Sequence, residues 1–177
     1  KALEPVGAQT MLTDGIARAY RAGRDRLAAS AGVQELLTST CDQRNATPYL
    51  FATTGAEWLA NHALGEEVFG PLGLIVRGKD LEELRTVALS LEGQLTCTLH
   101  HDDADRPLIQ SLLPILERKA GRILANGFPT GVEVCDAMMH GGPYPASTTF
   151  GTTSVGTMAI QRWLRLVCYQ DLQGFMR

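Results

Sequence analysis

The chain has 177 residues, of which 45% are hydrophobic and 20% are charged, as is ordinary for a folded globular protein. This composition excludes collagen-like chains, disulfide scaffolds and charge-driven disordered chains. The net charge is −3, from 16 Lys and Arg residues against 19 Asp and Glu residues. Because the sequence also lacks a block of basic residues, we expect no nucleic-acid partner.

The four cysteines, Cys41, Cys97, Cys135 and Cys168, form no Cys-x-x-Cys pair. Their spacing fits neither a zinc site nor a dense disulfide framework, so we expect reduced thiols and no metal. No apolar stretch approaches the roughly 18 residues that a membrane helix needs, and the first residues lack the apolar centre of a signal peptide. We therefore expect a cytoplasmic protein without a membrane partner.

Helix and strand signals alternate along the chain. Thr13 and Asp14 are capping residues ahead of an apolar pattern with helical spacing, and Asp80 with Glu83 is typical of a capping box. The apolar run at 72–76 is typical of a strand covered on both faces. The first predicted helix runs from this Thr13–Asp14 cap to about residue 30. In chain order, the other predicted helices are at 55–64, 81–91, 106–119 and 154–163. The predicted strands are at 49–53, 72–76, 94–99, 122–125 and 164–169.

This alternation predicts an α/β fold with a mostly parallel sheet. Pro114 falls within the fourth helix, which it should either bend or begin. Residues 126–150 are rich in Gly and Pro and carry few helix signals. Irregular stretches of such length are usually functional, so we expect functional residues there.

Residues 66–71 read EEVFGP, which resembles the Glu-Val/Ile-Phe-Gly-Pro motif of the aldehyde dehydrogenase superfamily. Three later segments follow it: GRILANGFPTGV at 121–132, HGGPYP at 140–145 and WLRLVCYQ at 163–170. Their order and spacing resemble the branch that oxidises 2-oxoglutarate semialdehyde, also called 2,5-dioxopentanoate or 2,5-dioxovalerate. The resemblance covers the chain from about Met11 to Gln170.

The resemblance implies a fold and a domain organisation. Residues 1–163 would form the C-terminal part of a three-layer catalytic domain with a mostly parallel sheet. Residues 164–177 would form a terminal oligomerisation strand and tail that joins a neighbouring subunit, making a homo-oligomer. The alternative is an ordinary edge strand within one subunit.

The same resemblance implies NAD(P)-dependent oxidation of a small-molecule aldehyde, through a cysteine thiohemiacetal and thioester. Glu67 would accept hydrogen bonds from the nicotinamide ribose, since a carboxylate offers two acceptor oxygens to a vicinal diol, and Phe69 would lie near the nicotinamide. On the motif alone, a helix-end acid followed by a core phenylalanine is an equal interpretation. The choice between NAD and NADP stays open.

Substrate contacts are implied in the irregular stretch. The resemblance places Asn126, Phe128 and His140 at the aldehyde pocket. For His140, which has no partner histidine in the sequence motif, a loop residue bonded to backbone is the competing interpretation.

The nucleophilic cysteine and the general-base glutamate of the family precede the Glu67 motif by more residues than this chain provides. We therefore expect no catalytic residue in this chain, no activity from it alone, and the N-terminal half of the same enzyme as its partner. Cys97 ends a segment, GQLTC, that is similar to the family's Gly-Gln-x-Cys nucleophile motif. Its cysteine stands one position late and follows Glu67, so we reject it as the nucleophile.

Two alternatives remain open at this level. The chain could be a non-catalytic assembly or binding module derived from the aldehyde dehydrogenase fold. It could also belong to another branch of the family, such as a CoA-acylating one.

Overall fold

A computed structural model describes residues 1–129 and 131–171. The chain divides into two compact units, Lys1–Leu91 and Glu92–Arg177. The helices α1–α4 are Asp14–Ala28, Gly55–Ala60, Leu81–Ser90 and Arg106–Leu116. The strands β1–β7 are Gln9–Thr10, Gln34–Leu37, Asn45–Ala46, Tyr49–Thr54, Leu72–Arg77, Gln94–Leu99 and Ala120–Ala125. Short 3₁₀ turns occupy His62–Gly65, Asp103–Asp105 and Thr157–Trp163.

The first unit is organised around β4. This strand pairs with β5 in parallel, with Tyr49 opposite Leu72, and with β2 in the antiparallel direction, while β1 and β3 form a separate antiparallel pair. Helix α1 buries one face, since its enclosed residues recur at helical spacing. Those residues are Ala17, Tyr20, Gly23 and Leu27.

Tyr20 lies at the centre of the core in this unit. Its ring meets the Tyr49 ring edge-on at 6.4 Å, and Tyr49 in turn stacks on Phe51 at 6.2 Å. Tyr20 is fully buried, and its hydroxyl donates to the carbonyl oxygens of Thr47 at 2.8 Å and Pro71 at 3.4 Å. Burial of this hydroxyl raises the pKa of Tyr20 to about 12.

The helix starts confirm Thr13 and Asp80 as capping residues. Thr13 accepts a hydrogen bond from the backbone N–H of Ile16 at 3.2 Å at the start of α1. At the start of α3, Asp80 accepts from the N–H of Glu83 at 2.8 Å. The Glu83 carboxylate accepts from the N–H of Lys79 at 2.7 Å, one residue before the cap, and not from the N–H of Asp80 as the reciprocal bond of a capping box requires.

The second unit contains the parallel pair β6 and β7, with Gln94 opposite Ala120, joined through α4. This helix buries Leu112, Ile115 and Leu116. It begins at Arg106 and contains Pro114 in its interior, so Pro114 does not mark its start. The predicted α/β class is thus confirmed, with two parallel pairs that are each linked through helical segments.

Three sequence predictions are corrected. The predicted helix at 55–64 divides into α2 and a 3₁₀ turn, and the one at 154–163 contracts to the turn Thr157–Trp163. The run at 72–76 is not covered on both faces: Ile75 is 40% exposed. Among the described strands, β5 is an edge strand that pairs with β4 alone.

The predicted strand at 164–169 is absent from this single chain. Residues 164–171 adopt no regular structure, and Leu166 is 100% exposed. Alternating apolar residues become a strand only when another strand supplies backbone partners, and within residues 1–129 and 131–171 none pairs with this segment. Residues 172–177 of the predicted tail lie outside the described residues. In the described part of the chain, every helix is too short or too polar to cross a membrane.

Glycines allow the irregular segment after residue 126 to lie directly on β6 and β7. A Cβ atom at Gly121 would lie 1.9 Å from the Gly141 carbonyl oxygen. A Cβ at Gly93 would lie 2.0 Å from the Pro143 oxygen, and one at Gly142 would lie 2.3 Å from the Gln94 oxygen. The backbone of the loop therefore packs against strand backbone where no side chain fits.

Tyr20→Phe removes the buried hydroxyl donor while keeping the ring. We expect the free energy of unfolding near neutral pH to fall by about 1–2 kcal/mol, because the Thr47 carbonyl loses its partner. The folded-state pKa of Tyr20 is raised above its ordinary value of 10.0, so its stabilising effect is complete below pH 10 and declines as the pH rises towards 12. Urea denaturation of both proteins at pH 8 and pH 11 tests this, and an equal difference at both pH values would contradict it.

Gly121→Ala places a methyl group against the Gly141 carbonyl. We expect a loss of about 2–3 kcal/mol in the free energy of unfolding, since backbone on both sides must move. Gly151→Ala is the matched control, because a Cβ there would meet nothing within 4 Å. Chemical denaturation compares the two variants, and equal stability would show that the loop does not pack on β7 in this way.

Candidate functional site

Residues 66–71 connect the 3₁₀ turn His62–Gly65 to β5, and their side chains alternate in exposure. Glu67 is exposed and Phe69 is 67% exposed. Val68, between them, is half-buried and packs against the core of the first unit. Val68 therefore anchors the segment to the core, and the side chains of Glu67 and Phe69 on either side of it are exposed to solvent.

Close contacts with α1 fix the path of this segment. A Cβ at Gly23 would lie 2.9 Å from the Val68 methyl carbons, so the absence of a side chain on the helix makes room for Val68. Gly70 has φ +158° and faces the Tyr20 ring, where a Cβ would lie 2.3 Å from Cδ2. Glycine at position 70 is thus required by packing against the tyrosine ring.

Backbone hydrogen bonds complete this turn. The N–H of Leu72 donates to the Gly70 carbonyl at 2.8 Å, and the N–H of Tyr49 donates to the Pro71 carbonyl at 2.9 Å. The Pro71 carbonyl also accepts from the Tyr20 hydroxyl. These bonds tie the end of the motif to the start of β4 and β5, which gives the preceding residues a rigid base.

The two adjacent glutamates differ in their partners. The Glu66 carboxylate pairs with the Arg26 guanidinium, with 2.8 Å between Oε2 and Nη1. Within residues 1–129 and 131–171, the Glu67 carboxylate has no hydrogen-bond or ion-pair partner. Both of its oxygens are therefore available to accept hydrogen bonds from a ligand.

Glu67 and Phe69 have the chemistry required to hold the ribose and nicotinamide end of NAD(P). A free carboxylate can accept from two neighbouring hydroxyls, and an exposed aromatic ring nearby offers a flat apolar contact. The competing interpretation of a core phenylalanine at position 69 is wrong, since most of its side chain is exposed.

Asn126 and Phe128 follow the carboxyl end of β7. Asn126 has φ +51°, and its side-chain oxygen accepts from the N–H of His101 at 2.8 Å, which links the ends of β6 and β7. Phe128 is 76% exposed, and its ring centroid lies 5.5 Å from that of His100. The structure therefore brings Asn126 and Phe128 together at one edge of the parallel pair, with the oxygen of Asn126 already engaged.

His140 lines a cavity of about 460 Å³ in the second unit. Its backbone N–H donates to the Thr153 hydroxyl at 2.8 Å, and its carbonyl accepts from the N–H of Ser154 at 3.1 Å. The backbone of His140 is thus held in place at the wall of the cavity. Neither Asn126 nor Phe128 lines this cavity.

The cavity around His140 is rich in hydrogen-bonding groups. Arg162 supplies a guanidinium, and the other polar side chains in its wall are hydroxyls. The hydroxyl-bearing residues are Ser147, Thr148, Thr149, Thr152, Thr153 and Ser154. Such a wall suits a polar or anionic ligand. The sequence prediction missed Arg162, although the hydroxyl-rich run at 147–154 was a visible signal.

Cys97 is half-buried in β6, and burial raises the pKa of its thiol. A raised pKa disfavours the thiolate, which is the reactive form of a cysteine. The four cysteines are free thiols. In the part of the chain that the structure describes, no three His, Cys, Asp or Glu side chains cluster to hold a metal ion.

Comparison with known proteins gives a consistent set of relatives, although no family model matches the chain. The chain is 54% identical over 173 residues to alpha-ketoglutaric semialdehyde dehydrogenase 2 of Azospirillum brasilense, covering 97% of this chain and 33% of that protein. It is 44% identical over 166 residues to alpha-ketoglutaric semialdehyde dehydrogenase of Acinetobacter baylyi, covering 92% of this chain and 32% of that protein. The chain thus spans about a third of the length of these relatives.

A solved structure shows the same fold. The Delta-pyrroline-5-carboxylate dehydrogenase of Mycobacterium tuberculosis, bound with NAD, superposes with a TM-score of 0.60 at 19% identity. The match covers 90% of this chain and 30% of that one. It shows the fold alone, while the identity to the two curated relatives supports assignment of the chain to the aldehyde dehydrogenase superfamily, in the branch of the alpha-ketoglutaric semialdehyde dehydrogenases.

Proposed function

We propose that this chain is the C-terminal segment of an NAD(P)-dependent dehydrogenase that oxidises 2-oxoglutarate semialdehyde to 2-oxoglutarate. The observation that carries the proposal is the 54% identity to an enzyme named for that substrate. The Glu67 carboxylate also supports the proposal. Unlike the neighbouring carboxylate of Glu66, which is paired with Arg26, its oxygens are free to accept hydrogen bonds from a cofactor.

In this proposal, the chain contributes binding and orientation. Glu67 accepts hydrogen bonds from the nicotinamide ribose, and Phe69 limits where the nicotinamide ring can lie. The bound nicotinamide supplies the hydride acceptor for aldehyde oxidation. The cysteine that attacks the aldehyde and the glutamate that activates water belong to the N-terminal half of the same enzyme, so the chain itself holds no catalytic residue.

The second unit contributes the substrate contacts. Phe128 offers an exposed apolar surface beside His100. The cavity beneath His140 contains Arg162 and several hydroxyls, a set that suits the carboxylate of an anionic aldehyde through charge-assisted hydrogen bonds. In this arrangement Asn126 acts by fixing the edge of the strand pair.

Residues 164–177 are proposed to add a strand to a neighbouring subunit in a cytoplasmic homo-oligomer. The support lies in the exposure of their apolar side chains: Leu166 is fully exposed, and the preceding Trp163 is 84% exposed. An extended segment with free backbone groups is suited to strand addition.

The chain alone is expected to produce no reduced nicotinamide from 2-oxoglutarate semialdehyde with NAD or NADP. The reason is that the attacking thiolate and the base that activates water are supplied from outside it. The measurement is the absorbance of NAD(P)H with purified chain, beside the natural gene product that contains it as a positive control. Turnover by the chain alone would contradict the proposed division of roles.

Glu67→Gln in the natural gene product is expected to raise the KM for NAD(P) about tenfold, since one charge-assisted hydrogen bond is weakened. The KM for the aldehyde should change little. Glu66→Gln is the matched control, because that neighbouring carboxylate is occupied by Arg26 and a surface ion pair contributes little. Steady-state kinetics with varied cofactor distinguishes the two, and equal KM values for both variants would exclude Glu67 as the ribose ligand.

A further inference from the structure

Three arginines of the first unit converge on one open cavity of about 450 Å³. Its wall contains Arg18, Arg21 and Arg44, together with Gln43 and Asp14. Three positive charges thus face one negative charge, in a chain whose net charge is −3. The proposed dehydrogenase function assigns no role to any of these residues.

Two separate parts of the chain supply the arginines. Arg18 and Arg21 stand three residues apart on α1, so their side chains leave the helix on the same face. Arg44 comes directly before β3, and its carbonyl accepts from the N–H of Met11 at 2.8 Å. The pairing of β1 with β3 therefore holds Arg44 in place opposite the helix.

Arg21 joins the two parts. Its Nη1 donates to the Gln43 carbonyl at 2.6 Å, and Gln43 adopts φ +51° to present that oxygen. Across residues 1–129 and 131–171, neither Arg18 nor Arg44 has a side-chain hydrogen-bond or ion-pair partner. The cavity therefore has a braced wall and two guanidiniums with unused donors.

The other two arginines of α1 show the contrast. Arg24 pairs with Asp25 at 2.6 Å, and Arg26 pairs with Glu66 at 2.8 Å. Both lie in the second half of the helix, where the macrodipole favours positive charge, whereas Arg18 lies near the positive N-terminal end. Arg18 is thus the one arginine of α1 without a side-chain partner among the described residues.

We propose that this cavity, the Arg18–Arg44 cavity, binds a small dianionic oxyanion, namely a phosphate group. Guanidinium groups match phosphate oxygens with paired N–H donors, and Arg18 and Arg44 contribute to the cavity wall from two separate parts of the chain. A dianion would offset the excess charge, with Asp14 as the one opposing carboxylate in the wall.

The test is a titration of the isotope-labelled chain with inorganic phosphate, followed by NMR chemical shifts, with sodium chloride at matched ionic strength as the salt control. Saturable shifts in residues 14–21 and 43–45 are expected with phosphate and not with chloride. Glycerol 3-phosphate forms a second arm. Tighter binding in that arm would indicate an organic phosphate ester as the ligand, and equal binding would indicate free phosphate.

Arg18→Ala and Arg44→Ala are each expected to weaken phosphate binding about tenfold, the effect of losing one charged hydrogen-bond donor. Arg77→Ala is the matched control, since Arg77 is exposed at the end of β5 and outside the cavity wall. Circular dichroism verifies that each variant is folded. Identical shifts with chloride, or equal phosphate affinity in all three variants, would overturn the proposal.

Discussion

The contact between Tyr20 and the segment at 66–71 is the constraint on which the first unit depends. The ring fills the space between α1 and β4 and lies against Gly70, while the hydroxyl donates to the carbonyls of Thr47, just before β4, and Pro71, just before β5. One side chain therefore positions a helix, a strand and the entry to the next strand. Because Val68 is held by the same helix, the exposed residues at 67 and 69 project from a rigid base.

The second unit reaches a comparable result by different means. There, the packing is backbone against backbone, through Gly93, Gly121 and Gly142, and the irregular segment is then fixed by the Thr153 hydroxyl, which accepts from His140 and donates to Val155. Such a segment needs no secondary structure of its own to be ordered. Many side chains of this irregular segment can therefore line the cavity at His140 instead of packing in a core.

Much of the fold could be predicted from the sequence because its signals are local. Capping residues and apolar spacing located α1, α3 and the four strands of the two parallel pairs, since each signal operates within one turn or one strand. The strand at 164–169 failed because strand formation requires a partner that the sequence pattern does not supply. The prediction that the strand at 72–76 is buried on both faces was also wrong. Burial of a strand's faces depends on which other elements pack on them, and an apolar run in the sequence does not identify those elements.

The candidate site was predictable only where a motif carried it. Glu67 and Phe69 were located by resemblance, but the difference between Glu66 and Glu67 depends on Arg26, which lies on a different element. Arg162 and the Arg18–Arg44 cavity were not predicted. Each is formed by residues distant in sequence, and a single exposed arginine carries no signal of what it faces.

The contact between Gly70 and Tyr20 also has an evolutionary consequence. A side chain at position 70 fails because the tyrosine ring occupies its space, so the glycine is conditional on the aromatic residue. A smaller residue at position 20 would relieve the clash while opening a void, and the two substitutions would not combine additively. A substitution at position 20 or position 70 alone therefore destabilises the loop that contains Gly70. The effect of each substitution depends on the residue at the other position, so the pair is epistatic and neither residue is expected to change readily by neutral substitution.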